Sequence, residues 1–520
     1  MSGFREAVSG FLATRGATRL LLFAGVFPHA LAIAVFVWLA AQRIGHPLEL
    51  GWVEGVLMDS IRRLATAQPV YPAPTLDYIP LAYMPGYYLV AAPLVKAFGV
   101  HLWVPRMLSV AETLLVAGVL GWIARRETGN AWVALAAPAL FLGAFGFCGA
   151  SYDHVQPNSQ LVLFALAGAL TLRESRGRGA AMLAGAWFGM AFLTKQHGLL
   201  LGLAMLPWLA LHDRRRLVPY LLSFATCAGG GYLLLRAAFG PWFVFYTYDV
   251  PAHWSAFHPL KLEEFGRYLF GVFGICATWM ALAALPIVRA PEDGGRGWIW
   301  WWAAAGGVAV GLIATLDSYS YRHTLMPVVA LFALAAPIAA WRIVHGMSGG
   351  RLPAALAAAL VLLLLAPQYA PILYHVRRHV PKPSVEPQRD RFYERLREVP
   401  ARILLLNHGF YLYDAGRRPS LHLLALEDIL RSRGNALLRR DPGYFDRRLS
   451  ALVSGPSRPW ILTDRPMETL GDHSNPWWRK IAARYAVRDS FPAIVEVELP
   501  LLGPNEAPRY LYAPVAAVAR

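Results

Sequence analysis

"GWVEGVLMDSIRRLATAQPVY", residues Gly51 to Tyr71, decides the fold because it is where the chain first stops being uniformly apolar. Before it lies an apolar run over 20–40, about the 20 residues that a helix needs to cross a bilayer. Inside it Val53, Leu57, Ile61 and Leu64 recur at helical spacing opposite Arg62 and Arg63. That pattern predicts an amphipathic helix at a membrane surface. Glu54 opens this helix just beyond the span. A carboxylate there either caps the helix N-terminus or meets something at the interface.

Working outward, further apolar runs fall at 104–124, 131–148, 159–172, 180–193, 198–211, 217–238, 265–288, 298–315, 325–341 and 352–373. With the first, they predict a polytopic α-helical membrane protein of about 11 transmembrane helices plus interfacial helices. The composition agrees: of 520 residues, 56% are hydrophobic and 12% aromatic. Arginines test the arrangement. Arg15 and Arg19, Arg125 and Arg126, Arg173, Arg176 and Arg178, Arg214 to Arg216, Arg296 and Arg342 all fall in alternate connections. The positive-inside rule makes that face cytoplasmic, with the N-terminus, and places everything after Leu373 outside. The run over 83–99 would invert this order if it crossed, so it reads as a second interfacial helix.

The net charge of +17 is explained by these clusters beside lipid headgroups, and nucleic acid is not an expected partner. Cys148, Cys227 and Cys276 all lie in apolar runs, which argues against a disulfide framework or a zinc site. The first run reads as a retained signal anchor. From Val380 prolines and charges mark a linker, and "RILLLN", "PWILTD" and "AIVEVEL" read as strands, with "RFYERLRE" and "ALEDILRSR" as helices. The expected division is a membrane domain over 1–379, whose first outer loop is 41–103, and an extracytoplasmic soluble α/β domain over 380–520.

Ionisable residues collect on the outer face: Glu54, Asp59, Asp77 and Arg106, then Asp153 and His154, Lys195 and His197, Asp249 and His253, and Asp317, Arg322 and His323. Such a rim suits attack by a hydroxyl or amine on a sugar whose leaving group is a lipid-held phosphate. A carboxylate can take the proton while Lys or Arg stabilises the departing phosphate. Each residue also has a plainer reading. Glu54 serves as a helix cap, Asp153 starts a helix before Pro157, Lys195 reaches headgroups, and Arg106 pairs with a loop acid.

The order of "VEGVLMDSIRRLATAQPVY", "YIPLAYMPGYYL" and "FGVHLWVPRMLS", with "FLTKQHGLL" further on, resembles the integral-membrane GT-C glycosyltransferases, including protein O-mannosyltransferases and the lipid A aminoarabinose transferase. The resemblance covers about residues 20–200 well and the rest in outline. It implies an inverting glycosyltransferase in the bacterial inner membrane, taking a sugar from a polyprenyl-phosphate donor to a lipid, glycan or protein acceptor outside. Catalysis would fall to Glu54 and Asp153. Substrate contacts would fall to Arg106, Lys195, Arg322, His323, Asp77 and His154. Two departures stand out: Val53 occupies the place where many relatives carry the first acid of a pair, and Tyr83-Met84-Pro85 stands where O-mannosyltransferases have His-Pro-Pro. No acidic metal motif of the oligosaccharyltransferase type is evident, so no cofactor is expected and a divalent metal is left open. The competing classes are a lipid-linked sugar transporter or flippase and a non-catalytic envelope-assembly protein. The former would show internal repeats, and none is seen.

Overall fold

The computed structural model describes residues 15–515, apart from 52, 255–258, 286–294, 318–320, 349–351, 383–384, 457, 465, 468–483 and 491–507. Helix stands at every apolar run read from the sequence. Among the described residues six helices are long and apolar enough to cross a membrane: Arg15–Arg43, Trp103–Thr128, Arg214–Phe239, Arg296–Leu316, Arg322–Met347 and Ala354–Ile372. The pair Pro259–Val272 and Gly274–Ala283, bent by 77°, makes a seventh if it is one span.

The expectation of about eleven full spans is therefore not met by length. The runs at 131–148, 159–172, 180–193 and 198–211 form the shorter helices Ala131–Gly143, Asn158–Glu174, Arg178–Thr194 and the broken pair Gly198–Leu203 and Met205–His212. Residues 144–157 between the first two turn inward as irregular chain, buried throughout. Such backbone is tolerated at membrane depth only where protein surrounds it. Local signals set the ends: Gly129 closes the Trp103–Thr128 helix at φ 66°, and the Asn130 side chain then caps the next by accepting from the Trp132 and Val133 amides.

Leu20, Phe23, Phe27, Leu31 and Trp38 lie exposed along the first helix, and Leu222, Leu233 and Leu234 along a later one. Large apolar side chains bare along helices of this length belong against lipid tails, and the chain is an integral membrane protein.

Residues beyond 385 build a four-stranded sheet in the order β1-β2-β4-β3, with β1 Ile403–Leu405, β2 Trp460–Thr463, β3 Tyr485–Ser490 and β4 Tyr510–Pro514. β1 pairs parallel with β2, and β4 runs antiparallel to both β2 and β3. The helices Val385–Glu398 and Leu423–Arg431 stand where the sequence places them. The expected strand "AIVEVEL" lies outside the described residues.

The Glu54–Ala65 helix departs from expectation. Val56, Leu57 and Ile61 join one core with Tyr87 and Ala91 of the Gly86–Phe98 helix and with Phe410, Leu426 and Ile429 of the C-terminal unit. Arg62, expected on the watery side, pairs with Asp59 at 2.6 Å and lies over the Tyr413 ring. Protein covers both faces of this helix, so its apolar stripe is spent on the C-terminal unit and not on lipid.

Candidate active site

Two buried ion pairs organise the rim on which the sequence gathers ionisable residues. Glu54 is wholly buried, and Arg106, from the first turn of the Trp103–Thr128 helix, donates Nη2 to Oε2 at 2.5 Å and Nε to Oε1 at 3.0 Å. The Leu50 amide adds a bond to Oε2 and the Val155 amide one to Oε1. Arg106 also donates Nη1 to the carbonyl of His46 and Nη2 to that of Leu48. The second pair is Arg43 with Asp153, at 2.6 and 3.1 Å, with the His154 ring nitrogen Nε2 3.0 Å from Nη2 of the same arginine. The Asp153–Val155 segment links the two pairs. It is delivered by a turn with positive φ at Gly149 (71°) and Ala150 (51°), and the Ala150 carbonyl accepts from Arg43. Burial with a guanidinium beside it pushes the His154 imidazole down to about 3, so this ring is neutral.

Beside these pairs opens a cavity of about 340 Å³ between helix ends, the loops that join them and the C-terminal unit. Lys195, Gln196, His197, His323, Tyr83, Tyr321, Val53, Trp254, Asp317, Asp428 and Arg431 contribute to its walls. Lys195 sits in the turn between the Arg178–Thr194 and Gly198–Leu203 helices. Gln196 pins that turn by donating to the carbonyls of Ala82 and Thr247. Lys195 itself is buried, donates Nζ to Asn158 Oδ1 at 2.9 Å and lies 5.1 Å from the centre of the Tyr83 ring. No carboxylate among the described residues pairs with it, and burial lowers its pKa to about 7. His323 lines the same wall, and its Nδ1 has no hydrogen-bond partner among the described residues. An imidazole, an amine and aromatic faces thus share one cavity wall, a set that suits an anion.

A smaller cavity of about 170 Å³ shares Tyr321 with the first and is lined by Lys261, Glu264, Tyr268 and Arg322. Arg322 packs over the Phe147 and Tyr268 rings at 5.6 and 5.3 Å.

The structure thus divides the residues expected from the sequence. Lys195 and His323 line the large cavity, and Arg322 lines its polar neighbour. Glu54, Arg106, Asp153 and His154 form the buried pairs beneath, with no place in the cavity wall. Asp77 faces elsewhere, bridging Arg402 and Arg418 of the C-terminal unit. Among the described residues no group of three or more His, Cys, Asp or Glu side chains is placed to hold a metal ion.

Sequence reasoning missed Arg43, Asp428 and Arg431. Arg43 carried a signal, an arginine at the outer end of a span, against the trend of the others. Asp428 and Arg431 carried none, since an i,i+3 acid–base pair on a polar helix reads as an ordinary solvated face.

Residues 82–242 match the family described as dolichyl-phosphate-mannose-protein mannosyltransferase. No curated protein sequence matches the chain. Solved structures do. ArnT from Cupriavidus metallidurans bound to undecaprenyl phosphate superposes with a TM-score of 0.58 at 15% identity, over 94% of this chain and 98% of that one. Its apo form gives 0.54 at 15% identity, over 95% and 98%. The Archaeoglobus fulgidus oligosaccharyltransferase in the apo form gives 0.52 at 11% identity, over 84% of this chain and 70% of that one. Over that overlap the chain shares the fold of ArnT and of the archaeal oligosaccharyltransferase.

Proposed function

We propose that this chain is an inverting glycosyltransferase that moves a sugar from a polyprenyl-phosphate donor to an acceptor on the outer side of a bacterial inner membrane. The observation that carries the reading is the Lys195 ammonium, buried in a cavity wall with an amide and an aromatic face but, among the described residues, no acid paired with it. A buried cation left without a counter-ion is costly, and a phosphate entering the cavity would supply one. Two findings support the lipid carrier: the match over 82–242 to a family named for a dolichyl-phosphate donor, and the likeness in fold to ArnT with undecaprenyl phosphate bound.

In this reading Lys195 neutralises the charge that grows on the phosphate as the anomeric carbon–oxygen bond breaks. His323 donates or accepts beside it, and Arg322 holds the neighbouring polar chamber. Glu54, Arg106, Asp153, His154 and Arg43 act by position: they fix the first loop and the 153–155 segment under the cavity floor. Asp77 clamps the C-terminal unit through Arg402 and Arg418.

The test is transfer of label from radiolabelled polyprenyl-phosphate sugars in membranes carrying the protein, comparing wild type with Lys195→Met. Donor consumption by the wild type that collapses in the variant is expected. A wild type that consumes none of a broad donor panel, while moving labelled lipid between leaflets of sealed vesicles, would replace the transferase reading with transport.

A further inference from the structure

A transferase needs a group to take the acceptor's proton, and the acid nearest the expected place is turned away. Glu54 gives both oxygens to Arg106 and to backbone amides, and the residue before it, facing the cavity, is Val53. Two carboxylates do line the cavity, Asp317 and Asp428. Asp428 comes from the Leu423–Arg431 helix of the C-terminal unit, which forms the wall shared with Trp254.

The setting of Asp428 is built. Arg431 donates Nη2 and Nε to its Oδ1 at 2.8 and 3.1 Å, and donates Nη1 to Asp317 Oδ1 at 2.6 Å. The same guanidinium lies 4.0 Å from the centre of the Trp254 ring, and Trp254 Nε1 donates to the Asp428 carbonyl at 3.1 Å. Held by one oxygen, the carboxylate keeps Oδ2 without a hydrogen bond among the described residues. The helix is locked to the membrane half by Ser432 Oγ on the Val250 carbonyl and by the Ala436 amide on Asp249 Oδ2.

We propose that Asp428 is the general base of the transfer, so that the C-terminal unit supplies a catalytic residue to a cavity whose other walls include the first loop, the Lys195 turn and helix ends. The proposal rests on the glycosyltransferase reading. In the step, the acceptor's O–H or N–H proton passes to Oδ2 of Asp428 and the freed electron pair forms the new bond to the anomeric carbon. The bond from that carbon to the phosphate oxygen breaks, and its electrons leave with the phosphate beside Lys195. Arg431 aims the carboxylate, and burial lifts the pKa of Asp428 to about 6, nearer the operating pH than an ordinary aspartate. The charged groups around it are Arg431 and Asp317, with Lys195 in the same cavity.

The experiment compares wild type, Asp428→Asn, Asp428→Glu and Asp317→Asn, purified in detergent, for two readouts: binding of undecaprenyl phosphate, and sugar transfer as a function of pH. Asp428→Asn should bind the lipid phosphate as the wild type does while transferring at least 100-fold more slowly, without the acid limb of the wild-type pH profile. Asp428→Glu should recover part of the rate with the limb displaced. If Asp428→Asn loses its fold, the displaced limb of Asp428→Glu decides the matter. Transfer by Asp428→Asn within threefold of wild type, or an Asp428→Glu limb that stays in place, overturns the assignment alone. So does a loss confined to Asp317→Asn. A wild type that transfers no sugar overturns the underlying reading and this assignment with it.

Discussion

Arg106 and Glu54 meet at full burial, with Nη2 2.5 Å from Oε2, while Val53, adjacent in the chain, faces the cavity. One residue of helical rotation thus decides whether this loop offers the cavity a carboxylate or a methyl group. The consequences fall into stability on one side of Glu54 and chemistry on the other.

For stability, removing one partner of a buried pair strands the other, at a cost of about 3–5 kcal/mol. Glu54→Gln and Arg106→Met are each expected to lower the unfolding midpoint sharply. The double variant should lose less than the sum of the two, because no unpaired charge remains. Thermal unfolding in detergent followed by intrinsic fluorescence measures this. Additive losses would show that the pair is not coupled.

Lys195 gives a pH signature. Its lowered pKa of about 7 means that Lys195 loses its charge as pH rises past neutrality. Affinity for undecaprenyl phosphate should therefore fall between about pH 7 and 9, where a phosphate monoester, with its second pKa near ~6, is already a dianion. Lys195→Arg should flatten that fall, since arginine stays charged. Lys195→Met should weaken binding by about 10–100-fold, the loss of one charge-assisted hydrogen bond of ~1.5–3 kcal/mol. Calorimetric titration across pH reads all three.

The contact between the first loop and the C-terminal unit is also sensitive to protons. His408 stands between Glu49, at 2.7 Å, and Asp464, at 3.5 Å. Burial opposes its charge, but Asp464 and Glu49 outweigh burial and hold the imidazolium well above the usual histidine value. The folded state therefore keeps a proton that the unfolded chain releases near 6.5. The contribution is full below that pH and fades as pH climbs through the folded value. Burial also raises Glu49 to about 7, which acts in the same direction. The unfolding midpoint is expected to decline from pH 6 to 9 in the wild type and to change less in His408→Gln.

A last prediction concerns the turn that carries Lys195. A methyl group at Gly198 would overlap the backbone of Ala191 and Phe192, and one at Gly86 would lie 2.6 Å from the Leu193 carbonyl oxygen. Backbone cannot yield as a flexible side chain does. Gly198→Ala should cost about 1–3 kcal/mol and weaken lipid-phosphate binding as well, because it moves the turn. Gly179→Ala, with open space at its Cβ, is the control that should change neither.

Much of the architecture was legible without coordinates. Spans announce themselves by apolar length, and each run did form helix, because in lipid no other open segment can satisfy its own backbone. The spacing of Val53, Leu57 and Ile61 correctly gave a helix, but not its neighbour. An apolar stripe says only that something apolar covers it, and the covering residues, Phe410 and Leu426, come from the far end of the chain. The short helices between 131 and 212 read as full spans for a related reason, since composition does not distinguish a residue buried in protein from one immersed in lipid.

The candidate site divides along the same line. Composition, charge clusters and order determined that this is a membrane protein with ionisable residues gathered between its apolar runs, because those properties are sums over local sequence. Tertiary structure alone decided which rim residues share a cavity. Lys195 and His323 came together there, while Glu54 and Asp153 were drawn into pairs with Arg106 and Arg43. The cavity also gained Asp428 and Arg431 from a helix whose sequence looks like any solvated surface. Glu49 and His408 are 359 positions apart, and no local pattern in either stretch encodes their meeting. Pairing of charges at such separations follows from how the C-terminal unit docks on the first loop, and that docking is a property of the packed surfaces as a whole.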